Sequence, residues 1–380
     1  MRWQAAFVAV VLAFVAVATS AARPEPHEQT EERKTQAVVL IVSDGLRWQE
    51  VFTGADPQLL NTKNGGSWRN EKDLKSAYWR ENVEERRAAL LPFLWNVIAK
   101  QGQLYGNQTR GSVARVTNGL NFSYPGYNEM LTGKPDPRID SNDFGPNPNA
   151  TVFEWLNAKP DFTGRVAVFA TWGAFRDIFN QPRSHVEVHV GWDTPYSSTS
   201  GTPRDSLMAD LYAYTTRLDE DDTYDPYLQA GLLDYVKTKK PRVLFVGYGE
   251  TDNWAHQGRY DLVLESAHDM DHFVGELWEA MQAMPEYRGR VTFLITADHG
   301  RGSAPVEWKE HGKRIKGSEN IWLAVIGPDT APLGERTNIA AITQSQIAAT
   351  VAALLGEDYR SAVTTAAGPI RDAVAAPPKR

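Results

Sequence analysis

The stretch Ala37-Val-Val-Leu-Ile-Val-Ser43 is a continuous run of mostly β-branched and aliphatic residues, and the carboxylate of Asp44 follows it directly. Comparable runs begin at Arg242 and at Arg290, and each also leads to acidic and histidine side chains. Strands that are buried on both faces of a parallel sheet have this composition. The alternation of such runs with helical segments therefore predicts an α/β fold, with a doubly wound, mostly parallel central sheet and helices on both faces.

Potential metal ligands lie in three short clusters behind these runs. In open α/β sheets, ligands bind at the carboxyl ends of the strands, so the three clusters are expected to meet at one sheet edge. Two divalent metal ions can clamp the attacking and leaving oxygens of a phosphoryl transfer, and zinc accepts both imidazole and carboxylate ligands. The pattern predicts a metal-dependent hydrolase with two divalent metal ions, for which zinc fits best. The predicted ligands are Asp44, Asp252, His256, Asp298, His299 and His311.

The segment Asn121-Phe-Ser-Tyr-Pro-Gly-Tyr-Asn-Glu-Met-Leu-Thr-Gly133 holds the candidate nucleophile, Ser123. Pro125 is typical of the first turn of a helix, and Gly133 is typical of its end. Ser123 would then lie at a helix N-terminus, where free backbone N–H groups and the helix dipole favour phosphate oxygens. Metal coordination can activate a serine hydroxyl for attack. The local sequence fits a serine that only caps the helix equally well.

The order of these pieces resembles the alkaline phosphatase superfamily. The pieces are Asp44 after the first strand, Ser-Tyr-Pro-…-Leu-Thr-Gly, Asp252-x-x-x-His256, Asp298-His299-Gly300 and His311-Gly312. The serine segment is most similar to the nucleotide pyrophosphatase/phosphodiesterase branch, although that branch usually has Asn-His where this chain has Gly126-Tyr127. The resemblance runs from Ala37 to Gly356 and implies a hydrolase of phosphate esters.

The resemblance also implies a role for each site residue. One zinc ion would be held by Asp252, His256 and His311, and the other by Asp44, Asp298 and His299. Ser123 would attack the substrate and form a covalent phosphoryl-enzyme. Asn142 lies near the position from which that branch donates a hydrogen bond to a phosphate oxygen, and Asn147 is an alternative.

The sequence leaves several functions open. The expected partner is a small phosphate-ester substrate, with nucleotides among the candidates, and both phosphodiesters and phosphomonoesters fit. A sulfatase is an alternative because Ser123-x-Pro125 matches the start of the sulfatase motif, but Tyr127 replaces its arginine. Three histidines also suit zinc better than the calcium of sulfatases. A phosphomutase-related enzyme and an inactive secreted binding protein on the same scaffold are further alternatives, although no predicted ligand or nucleophile is missing.

The N-terminus predicts export. A basic start, an apolar run from Ala5 to Ala18 and small residues up to Ala22 are typical of a cleaved secretory signal peptide. We expect a signal peptide over residues 1–22, a flexible lead-in over 23–36, a catalytic domain over 37–360 and a weakly structured tail over 361–380. The mature chain would be periplasmic or extracellular, with no stable membrane span after cleavage.

Charge and composition exclude some classes of function. The formal net charge is −7, which argues against a general nucleic-acid-binding surface. The chain contains no cysteine, so disulfides, thiolate metal sites and a cysteine nucleophile are excluded. The sequence does not indicate an oligomeric state.

Overall fold

The apolar runs form the core strands of a central sheet, in a computed structural model that describes residues 33–197 and 201–374. The predicted signal peptide, residues 23–32 of the lead-in and residues 375–380 lie outside the described part of the chain. In chain order the strands are β1 (Ala37–Ser43), β2 (Gln103–Tyr105), β3 (Ala114–Arg115), β4 (Val166–Ala170), β5 (Glu187–Val190), β6 (Val243–Tyr248), β7 (Val291–Thr296), β8 (Asn320–Ile321), β9 (Leu323–Ile326), β10 (Gly334–Glu335) and β11 (Ile342–Thr343).

The large sheet has the strand order β10-β2-β9-β7-β1-β6-β4-β5, and a small second sheet has the order β11-β3-β8. β1 lies at the centre and pairs in parallel with both β6 and β7. β4 continues the parallel arrangement beside β6, and β5 continues it beside β4. β9 pairs antiparallel with β7. The predicted doubly wound, mostly parallel α/β sheet is confirmed.

Every residue of β1 is buried, as is every residue of β6 and β7. These strands have neighbours on both edges and elements packed on both faces, so no position along them meets water. This explains why they are unbroken apolar runs rather than alternating ones. Because β1, β6 and β7 run parallel, the polar residues that follow each run lie at the same edge of the sheet.

Helices fill the connections between the strands. They are α1 (Trp48–Thr53), α2 (Thr62–Gly65), α3 (Glu71–Tyr78), α4 (Val83–Leu90), α5 (Ala99–Gln101), α6 (Ser123–Thr132), α7 (Val152–Asn157), α8 (Phe175–Ile178), α9 (Gln181–Ser184), α10 (Pro203–Tyr214), α11 (Asp225–Lys239), α12 (Glu250–His256), α13 (Tyr260–Ala283), α14 (Gln346–Leu354) and α15 (Arg371–Val374). A π-helical turn spans Leu94–Ile98, and 3₁₀ turns span Gln108–Arg110, Glu307–Lys309 and Tyr359–Ser361. None of the helices in the described ranges is long and apolar enough to span a membrane.

Both ends of the described chain pack on the rest of the protein. The backbone N–H of Thr35 donates to Asp329, and the Thr35 hydroxyl contacts that of Thr292. Near the C-terminus, α15 forms within the segment that the sequence predicts as a weakly structured tail, and Ile370 and Ala373 are buried. Residues 361–374 therefore contain more structure than their composition indicates, because a few apolar side chains close the edge of the core.

Candidate metal centre

The predicted metal ligands meet at the carboxyl edge of the central sheet. Asp44 directly follows β1, and α12, which carries Asp252 and His256, begins two residues after Tyr248, the last residue of β6. Asp298 and His299 follow β7. Because β6, β1 and β7 are adjacent and parallel, their ends deliver these side chains to one place. The sixth predicted ligand, His311, joins them from the loop before β8.

Asp44, Asp298 and His299 form one group of potential ligands. Nε2 of His299 lies 3.3 Å from Oδ1 of Asp44 and 3.5 Å from Oδ2 of Asp298. It also lies 3.4 Å from Oγ of Ser123. Ligand atoms at about 2.0–2.1 Å from a tetrahedral zinc ion lie roughly 3.3 Å from one another. The separations of the three neighbours from Nε2 therefore fit ligands around one ion, with the serine oxygen at the fourth corner.

The polar atoms of this group leave two oxygens available for a cation. Oδ1 of Asp44 and Oδ2 of Asp298 are buried and accept no hydrogen bond from the residues that the structure describes. The other oxygen of each carboxylate is occupied: Tyr127 Oη donates to Oδ2 of Asp44 at 2.8 Å, and the Gly45 N–H donates to Oδ1 of Asp298 at 3.1 Å. Nδ1 of His299 donates to the Gly300 carbonyl, which leaves Nε2 facing the group. Buried bare carboxylate oxygens are costly, so the arrangement fits a metal ion.

Asp252, His256 and His311 form the second predicted set. Nε2 of His256 lies 2.9 Å from Nε2 of His311 and 3.2 Å from Oδ2 of Asp252. Nε2 of His311 lies 3.8 Å from Oδ1 of Asp252. His299 borders this set as well, because its Nε2 is 3.8 Å from Oδ1 of Asp252, and Asp252, His299 and His311 themselves form a group of potential ligands. The two sets therefore share a boundary at His299.

The two sets differ in their exposure to solvent. The side chain of His299 is fully buried, whereas that of His256 is 39% exposed. The second set therefore opens toward solvent through His256, and the first set lies beneath it.

The buried charges of this cluster shift one another's pKa values. Burial disfavours the charged form of His299, but Asp298, Asp44 and Asp252 outweigh it and raise the pKa of His299 to about 9. Burial, reinforced by the charge of Asp44, raises the pKa of Asp298 to about 8. Burial and the neighbouring charge of His299 lower the pKa of His311 to about 2. Without metal the cluster thus retains protons that cations would replace.

Arg301 is a site residue that the sequence analysis missed. Its buried guanidinium donates to Oδ1 of Asp252. Burial alone would raise the pKa of Asp252, but Arg301 and the two neighbouring histidines hold it well below its usual value. The signal was present in the sequence, since Arg301 lies two residues after His299. Nothing in the sequence, however, indicates that it turns toward a carboxylate 49 residues away.

Ser123 is the first residue of α6, and Gly133 ends that helix in a left-handed conformation, as predicted. Oδ1 of Asn142 accepts a hydrogen bond from the backbone N–H of Tyr124 at 3.0 Å, beside the serine. The alternative, Asn147, is fully buried and bonds to Asn128 and the Ile178 carbonyl. The structure therefore brings Asn142 to the candidate nucleophile and puts Asn147 in a network of the protein interior.

The loop that leads to Ser123 is held by a buried carboxylate, Glu129, whose role the sequence analysis also missed. Glu129 accepts hydrogen bonds from the backbone N–H groups of Thr117 and Asn118, and from the hydroxyl of Ser345. These contacts tie the loop to α6 and to the segment before α14. Glu129 is the one charged residue of α6, which could have suggested such a partner, but the identity of the partner depends on tertiary structure.

A second link joins the nucleophile loop to the metal ligands. Asn121 adopts a left-handed conformation with φ of 57°. Its carbonyl oxygen lies 3.3 Å from Nδ1 of His311, which is positioned to donate to it. This contact orients His311 so that Nε2 faces His256. Metal-binding histidines usually have such a partner on the other ring nitrogen.

A family model matches part of this chain. The family model described as the Metalloenzyme superfamily matches residues 214–358. This segment includes five of the six predicted metal ligands, and only Asp44 lies outside it. No curated protein matches the sequence of this chain.

Several solved structures share the fold. The chain is 12% identical to wild-type alkaline phosphatase PafA, with a TM-score of 0.52 over 90% of this chain and 99% of PafA. It is 13% identical to the phosphonate monoester hydrolase of Silicibacter pomeroyi, with a TM-score of 0.53 over 91% of this chain and 78% of that one. It is also 13% identical to BT1596, a 2-O GAG sulfatase, with a TM-score of 0.50 over 90% of this chain and 73% of that one.

These likenesses show the fold, and the family model covers one part of the chain. The chain has the fold of alkaline phosphatase-like structures, and residues 214–358 match the metalloenzyme model, so the predicted resemblance to the alkaline phosphatase superfamily is confirmed. Phosphatase and sulfatase structures both appear among the similar folds. The nucleotide pyrophosphatase/phosphodiesterase branch remains a prediction.

Proposed function

We propose that this protein is an exported two-zinc phosphohydrolase that cleaves phosphodiester or phosphomonoester bonds through a covalent phosphoserine intermediate. The observation that carries the proposal is the position of Ser123, whose Oγ lies 3.4 Å from Nε2 of His299, beside two bare carboxylate oxygens. A serine that only capped a helix would have no reason to border a cluster of this kind.

The donor set supports zinc at both positions. Asp252, His256 and His311 would hold one ion, and Asp44, Asp298 and His299 the other. Mixed imidazole and carboxylate ligands at tetrahedral spacing suit zinc, whereas calcium prefers six to eight oxygen ligands. Bound zinc would polarise a phosphoryl oxygen and lower the pKa of the serine hydroxyl.

The protein's own groups would position the substrate. Ser123 lies at the N-terminus of α6, a ten-residue helix whose dipole favours a phosphate group at this end. Oδ1 of Asn142 is already used by the Tyr124 N–H, so the amide nitrogen of Asn142 is the group that it offers to a phosphate oxygen. The amide nitrogen of Asn142 would donate a hydrogen bond where negative charge concentrates during phosphoryl transfer.

The charge balance of the site favours a phosphodiester over a phosphomonoester. A monoester dianion carries one more negative charge, which a free arginine or lysine would need to match. Arg138 donates to Asp136, and Nζ of Lys134 contacts the Thr365 hydroxyl, so neither residue is directed to the serine. The guanidinium of Arg301 is paired with Asp252 and also donates to the Lys309 carbonyl. The neutral amide of Asn142 suits the single charge of a diester.

A sulfatase is the second candidate, because a sulfatase is among the structures with this fold. The position that would carry the arginine of the sulfatase motif is Tyr127, and its hydroxyl is bonded to Asp44. The residues around Ser123 thus give less support to sulfate ester hydrolysis than to phosphate ester hydrolysis.

The test is zinc analysis together with kcat/KM on three nitrophenyl esters: a phosphodiester, a phosphomonoester and a sulfate. We expect two zinc ions per chain, highest efficiency on the diester and very low efficiency on the sulfate. A monoester preference would overturn the diester assignment alone, and a sulfate preference would favour the sulfatase. Full activity in chelator, with no bound metal, would refute the proposed function.

Export is tested separately by expressing the complete chain in a bacterium with a periplasm. We expect a periplasmic product that begins at Arg23, because Ala22 is the predicted cleavage position. A product that keeps Met1 and remains in the cytoplasm would contradict export. That result would leave the proposed chemistry unchanged.

A further inference from the structure

Tyr127 joins the helix of the candidate nucleophile to a predicted metal ligand. It lies four residues after Ser123 on α6, one helical turn further into the protein. Its ring is buried and makes edge-on contacts with Phe175 at 4.6 Å and Phe245 at 6.1 Å between centroids. Its hydroxyl donates to Oδ2 of Asp44 at 2.8 Å. The aromatic contacts fix the ring, so the direction of the hydroxyl is fixed as well.

This hydrogen bond distinguishes the two oxygens of Asp44. Oδ2 accepts the hydrogen bond from Tyr127, while Oδ1 accepts none from the described residues and lies 3.3 Å from Nε2 of His299. The main chain of Asp44 is held independently, because the Thr251 hydroxyl donates to its carbonyl. With its backbone and one oxygen fixed, Asp44 can present a single oxygen in a single direction.

The residue before Tyr127 explains how α6 comes so close to the sheet edge. A Cβ at Gly126 would lie 2.5 Å from the carbonyl oxygen of Asp298, closer than packed atoms can approach. Only glycine therefore allows the helix to rest against Asp298. Two consecutive residues of α6 thus contact the two carboxylate residues of one metal set. Gly126 packs against Asp298, and Tyr127 donates to Asp44.

Other buried tyrosines show what an ordinary satisfied hydroxyl looks like in this protein. The hydroxyl of Tyr287 donates to the Pro241 carbonyl, and that of Tyr248 donates to the Gln229 amide oxygen. Neither partner belongs to the candidate metal centre. The hydroxyl of Tyr127 instead donates to one carboxylate oxygen of Asp44, and the other oxygen of that carboxylate accepts no hydrogen bond from the described residues.

We propose that Tyr127 is a positioning residue, which orients Asp44 for metal binding and couples the nucleophile helix to that metal site. The inference rests on the proposed two-metal function and deepens it. It also gives a reason for Gly126-Tyr127, the pair that departs from the nucleotide pyrophosphatase/phosphodiesterase pattern. Loss of a partner that orients a metal ligand typically lowers metal affinity by roughly 10- to 100-fold.

The test is a zinc titration of metal-free protein against a chromogenic chelator. Tyr127→Phe removes only the hydroxyl, and Tyr287→Phe is the matched control, because it also removes one hydroxyl from a buried ring. Each substitution is made alone and also together with His256→Ala. His256→Ala removes a ligand of the more exposed metal set, so that zinc binding at the set of Asp44, Asp298 and His299 is measured by itself. Thermal unfolding of the metal-free variants reports any general loss of packing.

We expect Tyr127→Phe to weaken zinc binding at the isolated site by roughly 10- to 100-fold, while Tyr287→Phe changes it less than twofold. Unchanged affinity in Tyr127→Phe, with two zinc ions still bound in wild type, would overturn the inference and leave the proposed function standing. An equal loss at both sites that tracks a loss of metal-free stability would also overturn it, since Tyr127 would then only pack. A wild type that binds no zinc would refute both proposals.

Discussion

Oγ of Ser123 and Nε2 of His299 lie 3.4 Å apart although 176 residues separate them in the sequence. The contact joins the start of α6 to the end of β7, and so joins the candidate nucleophile to the candidate metal ligands. A short side chain at a helix start can reach a strand end only where the helix lies directly over the sheet edge. Gly126 provides that approach.

Ser123→Ala should lower kcat by roughly a thousandfold or more, because the covalent route is lost. Zinc content and thermal stability should stay close to wild type, since the Ser123 hydroxyl is at one corner of a site whose protein ligands remain. Steady-state turnover on the best ester measures the effect. An acid quench of wild type should trap phosphate on Ser123, and wild-type turnover in the variant would assign the attack to another group.

His299→Ala and His256→Ala should have different effects. His299 borders both sets, so its loss should remove most zinc from both sites, whereas loss of His256 should remove about one ion. His299→Ala should also destabilise the metal-free protein by about 3 kcal/mol, because the buried carboxylates lose their central cation. Elemental analysis and denaturant unfolding in chelator measure both effects. Equal zinc loss in the two variants would contradict the inference that His299 contributes to both metal sets.

The sequence was sufficient to predict the strands and the meeting of the candidate ligands at their ends. Strands that are buried on both faces can be recognised in the sequence as unbroken apolar runs. Asp44, Asp252 and Asp298 each follow the end of such a strand or lie close to it. Parallel pairing then brings the strand ends together without further information. The local sequence and the order of the strands therefore determine this part of the site.

The supporting contacts could not be predicted in the same way. The pairing of Arg301 with Asp252, and of Glu129 with Ser345, joins side chains from distant segments, and no local pattern specifies either partner. The choice between Asn142 and Asn147 also needed the structure, because both lie in the same irregular loop. Only burial and hydrogen bonding separate them.

Gly45→Ala should disturb both metal sets at once. Gly45 has φ of 60°, and a Cβ there would lie 2.7 Å from Oδ1 of Asp252 and 3.2 Å from Cε1 of His299. We expect a loss of about 1–3 kcal/mol in unfolding free energy together with reduced zinc occupancy. Gly164→Ala is the matched control, because Gly164 has φ of 70° and a Cβ there meets no atom of the described residues within 4 Å. Equal zinc occupancy in the two variants would show that the space around Gly45 adjusts.

Asp271→Asn should change how stability depends on pH. Asp271 is buried on α13 and accepts the backbone N–H groups of Phe93 and Leu94, and burial raises its pKa to about 7. A raised carboxyl pKa means that the folded state holds the proton more tightly than the unfolded state. Its contribution to stability is therefore complete below about pH 4 and is lost as the pH rises through 7.

The stability advantage of wild type over Asp271→Asn should accordingly shrink between pH 4 and pH 7.5. Urea unfolding in chelator at several pH values measures it. Asp210→Asn, which changes an exposed carboxylate on α10, is the control and should give a difference that does not vary in this way. A constant difference between wild type and Asp271→Asn would show that Asp271 ionises at its ordinary pH in the folded protein.

Zinc binding at neutral pH should release at least one proton per chain. In the metal-free protein, burial lowers the pKa of His299, but Asp298, Asp44 and Asp252 outweigh burial and raise it to about 9, so the ring is charged at pH 7. Zinc requires the neutral imidazole, so the proton must leave as the metal binds. Affinity should then increase as the pH rises from 6 toward 9 and level off above it. Calorimetry in buffers of different ionisation enthalpy counts the protons, and a count of zero at pH 7 would mean that His299 is already neutral in the metal-free protein.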